Sequence, residues 1–142
     1  MAKSIFVEGA ISAEFIGNSI AKHQSKTSIG AHQIFLGQVR ADELEGSAVT
    51  AIEYTCYDDM ANKKMHEIRE DIFAKNDITC LHVYHSVGEV ETGEICLFVF
   101  VSSPHRKESQ IVCNELVERV KNELPIWGKE LTAKSENWKV NQ

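Results

Sequence analysis

A chain of 142 residues is long enough for one compact domain and too short for two ordinary ones. Apolar residues make up 43% and charged residues 25%, with eight Gly and two Pro, which excludes collagen-like, low-complexity and mainly disordered chains. The formal charge of −6 argues against a nucleic-acid partner, and no apolar run approaches the roughly 18 residues of a membrane span. The segment Met1-Ala-Lys-Ser-Ile-Phe lacks the apolar core of a secretory signal. A single cytoplasmic domain over residues 1–142 is expected.

In chain order, Ile5–Val7 reads as a short strand, followed by a helix from about Ser12 to Lys22 and a strand over Ile29–Val39. Arg40 to Ser47 is charged and Gly-containing, which predicts an exposed, mobile loop before a strand over Val49–Cys56. Between Asp58 and Lys75, Ala61, Met65, Ile68 and Ile72 recur at i, i+4, i+7 and i+11, the stripe of an amphipathic helix. A strand is predicted over Ile78–Val87 and a connection over Gly88–Gly93. The continuous apolar run Ile95–Val101 suits a strand buried on both faces.

A long helix is expected from Pro104 to Glu123, capped by Ser103 and stopped by Pro125. The tail from Trp127 to Val140 carries both tryptophans and is expected to pack back as an extended segment, with Trp127 pinned to the core. A hairpin-like connection over Gly30–Cys56 argues against a pure βαβ series. An α+β sandwich is the expected class.

Cys56, Cys80, Cys96 and Cys113 form no Cys-x-x-Cys pair and lie in apolar stretches, so they read as buried thiols. His82 and His85 are three apart in a predicted strand and would point to opposite faces. No metal site and no organic cofactor are expected.

Candidate chemistry concentrates at four places. Ser103-Pro-His-Arg-Lys puts His105, Arg106 and Lys107 at a helix N-terminus, where cations and free N–H groups can converge on an anion. The alternative is a solvated basic turn. Lys121 follows Val117 and Cys113 at steps of four, at the edge of the helix's apolar stripe. It is either a usable acid–base group or a snorkelling lysine. Lys129, after Trp127 and Gly128, can be a second functional amine or plain surface charge. Arg40, at the end of a strand, is placed to clamp an anion and is equally explicable as surface charge.

Four segments carry a resemblance. Gly30-Ala-His-Gln-Ile-Phe-Leu-Gly-Gln-Val-Arg40 resembles the G-A-x-x-x-F-x-G-x-V-R segment of the molybdopterin synthase large (catalytic) subunit family. His85-x-x-Gly-Glu89 followed by Gly93 is similar to that family's H-x-x-G segment. Ser103-Pro-His-Arg106 resembles its S-[AP]-H-R motif, and Lys121 followed by Pro125-Ile-Trp its K-x-x-x-P-[IF]-W-K signature. The four occur in the family's order and span most of the chain.

The resemblance implies an α/β hammerhead-type two-layer sandwich and a homodimer at the centre of a heterotetramer. It implies a small ubiquitin-like sulfur-carrier subunit ending in a glycine thiocarboxylate. The implied reaction is that of a sulfurtransferase, adding two sulfurs to cyclic pyranopterin monophosphate to form the dithiolene of molybdopterin. By the same resemblance Arg40, His105 and Arg106 bind substrate and Lys121 is catalytic. The family's second lysine falls on Gly128, and a one-residue shift assigns it to Lys129. A non-catalytic, anion-binding scaffold subunit of the same fold is the alternative.

Overall fold

In the computed structural model, which describes residues 4–133 and 136–138, the elements run β1 (Phe6–Glu8), α1 (Ala13–His23), β2 (Ala31–Gln38), β3 (Glu43–Leu44), β4 (Ser47–Cys56) and α2 (Asp58–Lys75). They continue with β5 (Cys80–Glu91), β6 (Ile95–Ser103), α3 (Arg106–Glu123), β7 (Ile126–Thr132) and β8 (Glu136–Trp138). The strands join in the order β2-β6-β5-β4-β7-β8, all antiparallel. β1 pairs parallel with β5, and β3 pairs with β4.

The run Ile95–Val101 becomes the inner strand β6, buried from Cys96 to Ser103 because β2 and β5 flank it and helices cover both faces. Strand alternation sends Leu97, Val99 and Val101 toward Ile68 and Ile72 of α2 and Val112, Leu116 and Val120 of α3. Phe98 and Phe100 point the other way, into a smaller cluster with Ile16 of α1. Burying each such side chain stabilises the fold by about 1.5–3 kcal/mol. The expected α+β sandwich is thus a sheet under α2 and α3, with α1 laid across part of its other face. Ser12 caps α1 through its side chain, which accepts from the Phe15 N–H at 3.0 Å.

Several expectations are corrected. Within Arg40–Ser47 lies a tight hairpin, β3–β4, turned by Glu45 and Gly46, both with positive φ as a two-residue turn of this hand requires. Gly30–Cys56 is not a hairpin: β6 and β5 separate β2 from β4. β5 runs on through Gly88 to Glu91, because its second half pairs with β4 after its first half has paired with β6. Ser103 is not the N-cap of α3. It is the last ladder residue of β6, opposite Ala31, and the helix begins at Arg106 with His105 as N-cap. Its hydroxyl still serves the helix, accepting from the Ser109 N–H at 3.1 Å and donating to the His105 carbonyl at 2.5 Å. Trp127 does not pin the core; it is 44% exposed and meets Tyr57 edge-on at 5.0 Å. The Trp127–Val140 tail is extended over β7 and β8, and its end lies outside the described residues. Cys80, Cys96 and Cys113 are buried, and Cys56 is partly so.

Candidate functional site

The two ends of α3 carry two different openings. At its C-terminal end Lys121, on the last turn, lines a narrow cavity of about 130 Å³ with Tyr54, His85, Cys96, Trp127 and Gly128. Val117 and Val120 are buried while Lys121 is exposed, so the stripe edge read from the sequence is where the lysine sits. His85 comes from β5 and is buried. Its Nδ1 donates to the Ser86 carbonyl at 2.7 Å, which leaves Nε2 as the acceptor of the neutral ring. Burial, reinforced by the Lys121 charge, pushes the imidazole down to about 4. Tyr54 stands edge-on to His85 at 5.0 Å and donates to Cys96 Sγ at 3.4 Å. Burial raises its phenol well above the ordinary range, so it stays a neutral donor.

Gly128 closes the cavity because it has no side chain. A Cβ there would stand 2.9 Å from Ile52 Cγ2 and 3.1 Å from the Tyr54 ring. Lys129 lies opposite Glu53 in the β4–β7 ladder, its ammonium 3.8 Å from the Glu53 carboxylate. Strand alternation puts it on the face away from Gly128, on the side of Trp127 at the cavity rim. The one-residue shift therefore moves the amine to the other side of the strand. Arg40 is exposed and pairs with Asp42 at 3.4 Å. It follows β2 just past Gln38, which pairs with Ile95, so it lies at the same end of the sheet as the Lys121 cavity.

His105 and Arg106 lie at the other end. With Gly30, Pro104, Lys107 and Gln110 they surround an open depression of about 620 Å³ at the start of α3. Gly30 is required there: a Cβ would strike the Pro104 carbonyl oxygen at 2.1 Å. From Arg106 to Lys121 the helix rises about 22 Å. The β6 ladder beside it, from Ile95 to Ser103, spans about 27 Å, so two separate rulers keep the clusters apart. The structure brings Lys121 together with His85 and leaves His105 and Arg106 remote within one chain.

Tyr54 and Cys96 were not singled out for this cavity by the sequence, since only the sheet pairing brings them to it. His85 carried a signal, its place in the His-x-x-Gly segment. Among the described residues, no group of three metal-type ligands lines either opening.

Comparison with known proteins agrees with these motifs. Residues 11–123 match the family model described as MoaE protein. The molybdopterin synthase catalytic subunit of Pyrococcus abyssi is 40% identical over 114 residues, 80% of this chain and 76% of the relative. That of Dictyostelium discoideum is 38% identical, covering 96% of this chain and 88% of its own length. A crystal structure of molybdopterin synthase from Staphylococcus aureus superposes with a TM-score of 0.82 at 29% identity, over 99% of this chain and 98% of that one. A complex of subunits 1 and 2 of the molybdopterin-converting factor from Helicobacter pylori also gives 0.82, at 17% identity over 96% and 90%, and shares the fold. By sequence over four-fifths of its length and by fold over nearly all of it, the chain belongs to the MoaE family, whose relatives named here are molybdopterin synthase catalytic subunits.

Proposed function

We propose that this chain is the catalytic subunit of a molybdopterin synthase, a cytoplasmic sulfurtransferase that moves two sulfurs from the C-terminal thiocarboxylate of a small ubiquitin-like subunit to cyclic pyranopterin monophosphate. The observation that carries this is the narrow cavity walled by Lys121, neutral His85 and Trp127. At about 130 Å³ it is well below the roughly 300–1,000 Å³ of an ordinary small-molecule pocket. It suits a thin glycine tail and is too small for a pterin. The Helicobacter pylori complex, which has this fold, supports a small-subunit partner.

The pterin then lies at the mouth, where Lys121 acts on the reacting side chain and its ammonium neutralises developing oxyanion charge. Lys129 serves from the Trp127 rim. The sulfur arrives on the partner's tail, so none of the four cysteines need be a nucleophile.

The substrate phosphate requires cations, and His105 and Arg106 are too far from Lys121 in the same chain. A two-fold homodimer, central to a heterotetramer, resolves this by setting the helix start of one protomer against the helix end of its partner. Each site combines Lys121, Lys129 and Arg40 of one protomer with His105 and Arg106 of the other. The test mixes two impaired chains, Arg106→Ala and Lys121→Ala, and assays them well below the KM for the precursor. Mixed dimers with one intact site should regain activity, whereas no recovery after proven subunit exchange defeats the shared site.

Gly128, where the family pattern has a lysine, supports a second reading: an anion-binding scaffold subunit without catalysis. Turnover with a thiocarboxylated small subunit and the pterin precursor decides between them.

A further inference from the structure

On the sheet face opposite the Lys121 cavity, the end of α1 meets the start of β5. Cys80 and His82 are two apart on β5 and so share one face, and His23 is the last residue of α1. Cys80 Sγ and one ring nitrogen from each histidine lie within 4.8 Å of one another. We propose that His23, Cys80 and His82 form a binding site for one zinc ion, clamping α1 to β5, with a solvent molecule in the fourth position.

The donor chemistry fits. Two imidazoles and a thiolate are a borderline-soft set that suits zinc, and three protein ligands with one open position are a recurrent zinc arrangement. His23 Nδ1 donates to the Ser19 carbonyl at 2.7 Å, which fixes the ring and leaves Nε2 as a lone pair aimed at His82. The two Nε2 atoms are 2.9 Å apart, so without metal one proton lies between them. Tetrahedral bonds to zinc need about 3.4 Å between nitrogens and about 3.6 Å between nitrogen and sulfur. The rings must part slightly and the sulfur close in by at most about 1.2 Å.

Phe100 lies under both rings, with centroids 4.9 and 6.4 Å away, and keeps the inner side dry. Binding releases one proton from the Cys80 thiol, while the proton on His82 Nε2 relocates to Nδ1.

Charge tunes the site. Lys26 donates to Cys80 Sγ at 3.0 Å, and its positive charge opposes a cation held there. Lys26 is exposed and can swing into solvent. Arg69, which donates to the Leu81 carbonyl, adds positive charge near His82, and His32 faces the same aromatic ring. Lys26 is therefore the adjustable group. Local spacing could not reveal the site, because His23 and Cys80 lie 57 positions apart.

The experiment uses the untagged, reduced chain and zinc alone, in competition with a chromophoric chelator, and then cobalt substitution. One equivalent should bind, raise the melting temperature and give cobalt a thiolate charge-transfer band. Cys80→Ser should abolish that band and weaken binding at least ~100-fold, and His82→Gln at least ~10-fold. Lys26→Met should tighten binding several-fold. His23→Gln, at a partly exposed helix end, decides the matter should a β5 variant fail to fold. No stoichiometric binding, or a band and affinity unchanged in Cys80→Ser or in His23→Gln, overturns the site. Sulfur transfer plays no part in these readouts, so the two proposals fail independently.

Discussion

Lys121, on the last turn of α3, and His85, buried in β5, wall the same cavity from two layers of the fold, and the lysine's charge adds to burial in keeping the imidazole neutral. A neutral ring beside a cationic amine can accept a proton without adding a second positive charge to a narrow space. If Lys121 moves protons during transfer, His85 is placed to share them. His85→Gln should lower turnover at least ~10-fold and shift the acid limb of the rate profile, while binding of the small subunit is retained. An unchanged pH profile would confine His85 to packing.

The same residue gives the fold a pH dependence of known sign. Its pKa is about 4 in the folded chain against 6.5 as the ordinary value, so the unfolded chain binds more protons between those limits. Stability is therefore full above about pH 6.5 and declines as the pH falls toward 4, by at most on the order of 3 kcal/mol from this group. Urea unfolding at pH 7.5 and pH 5 should show the loss, and His85→Gln should reduce it, the remainder coming from His82, whose imidazole burial also pushes down to about 4.

Lys121→Ala should reduce sulfur transfer at least ~100-fold with the fold intact, the usual scale for a lost acid–base group. Lys129→Ala is expected to fall by a similar factor if its amine reaches substrate from the Trp127 rim. Near-native turnover in Lys129→Ala would assign that lysine to its ion pair with Glu53 alone.

If Arg106 holds the substrate phosphate, Arg106→Ala should lower apparent affinity for the pterin precursor roughly 10- to 100-fold. The deficit should appear in KM more than in kcat. A loss confined to kcat would take Arg106 out of phosphate binding.

Gly128→Ala places a methyl group against Ile52 and Tyr54, whose atoms lie 2.9 and 3.1 Å from its position. Overpacking of this kind costs about 1–3 kcal/mol, readable as a lower unfolding midpoint in urea. Gly128→Lys should be at least as destabilising, so writing the family's lysine into this position alone should not raise activity. A more active Gly128→Lys chain would show that Tyr54 yields easily.

What the sequence discloses depends on whether neighbours along the chain or neighbours across the sheet decide the outcome. Ala61, Met65, Ile68 and Ile72 are legible as a helix face because one periodicity explains all four, and all four are buried. β6 is legible for the same reason, its run of apolar residues being short and unbroken. The start of α3 is not, because Ser103-Pro104 carries a valid capping pattern that the ladder with Ala31 overrides. The exposure of Trp127 is equally hidden, since it depends on Tyr57 reaching it from the start of α2. Of the site, Lys121 can be read from its place on a stripe edge. Tyr54 cannot, because its presence in the cavity follows from pairing between β4, β5 and β7.

The pairing of β6 with its following helix has a further consequence. Strand and helix run back along each other, so the Ser103 turn and the Lys121 cavity are held at the ends of a rigid bar. In a shared-site dimer the length of that bar becomes a functional quantity in its own right. Lengthening α3 by one turn, and β6 by the matching length, would keep the catalytic side chains themselves while displacing each phosphate clamp by about 5 Å. Activity would then be lost to a mismatch of lengths between two intact protomers, and a matching insertion elsewhere could in principle bring it back.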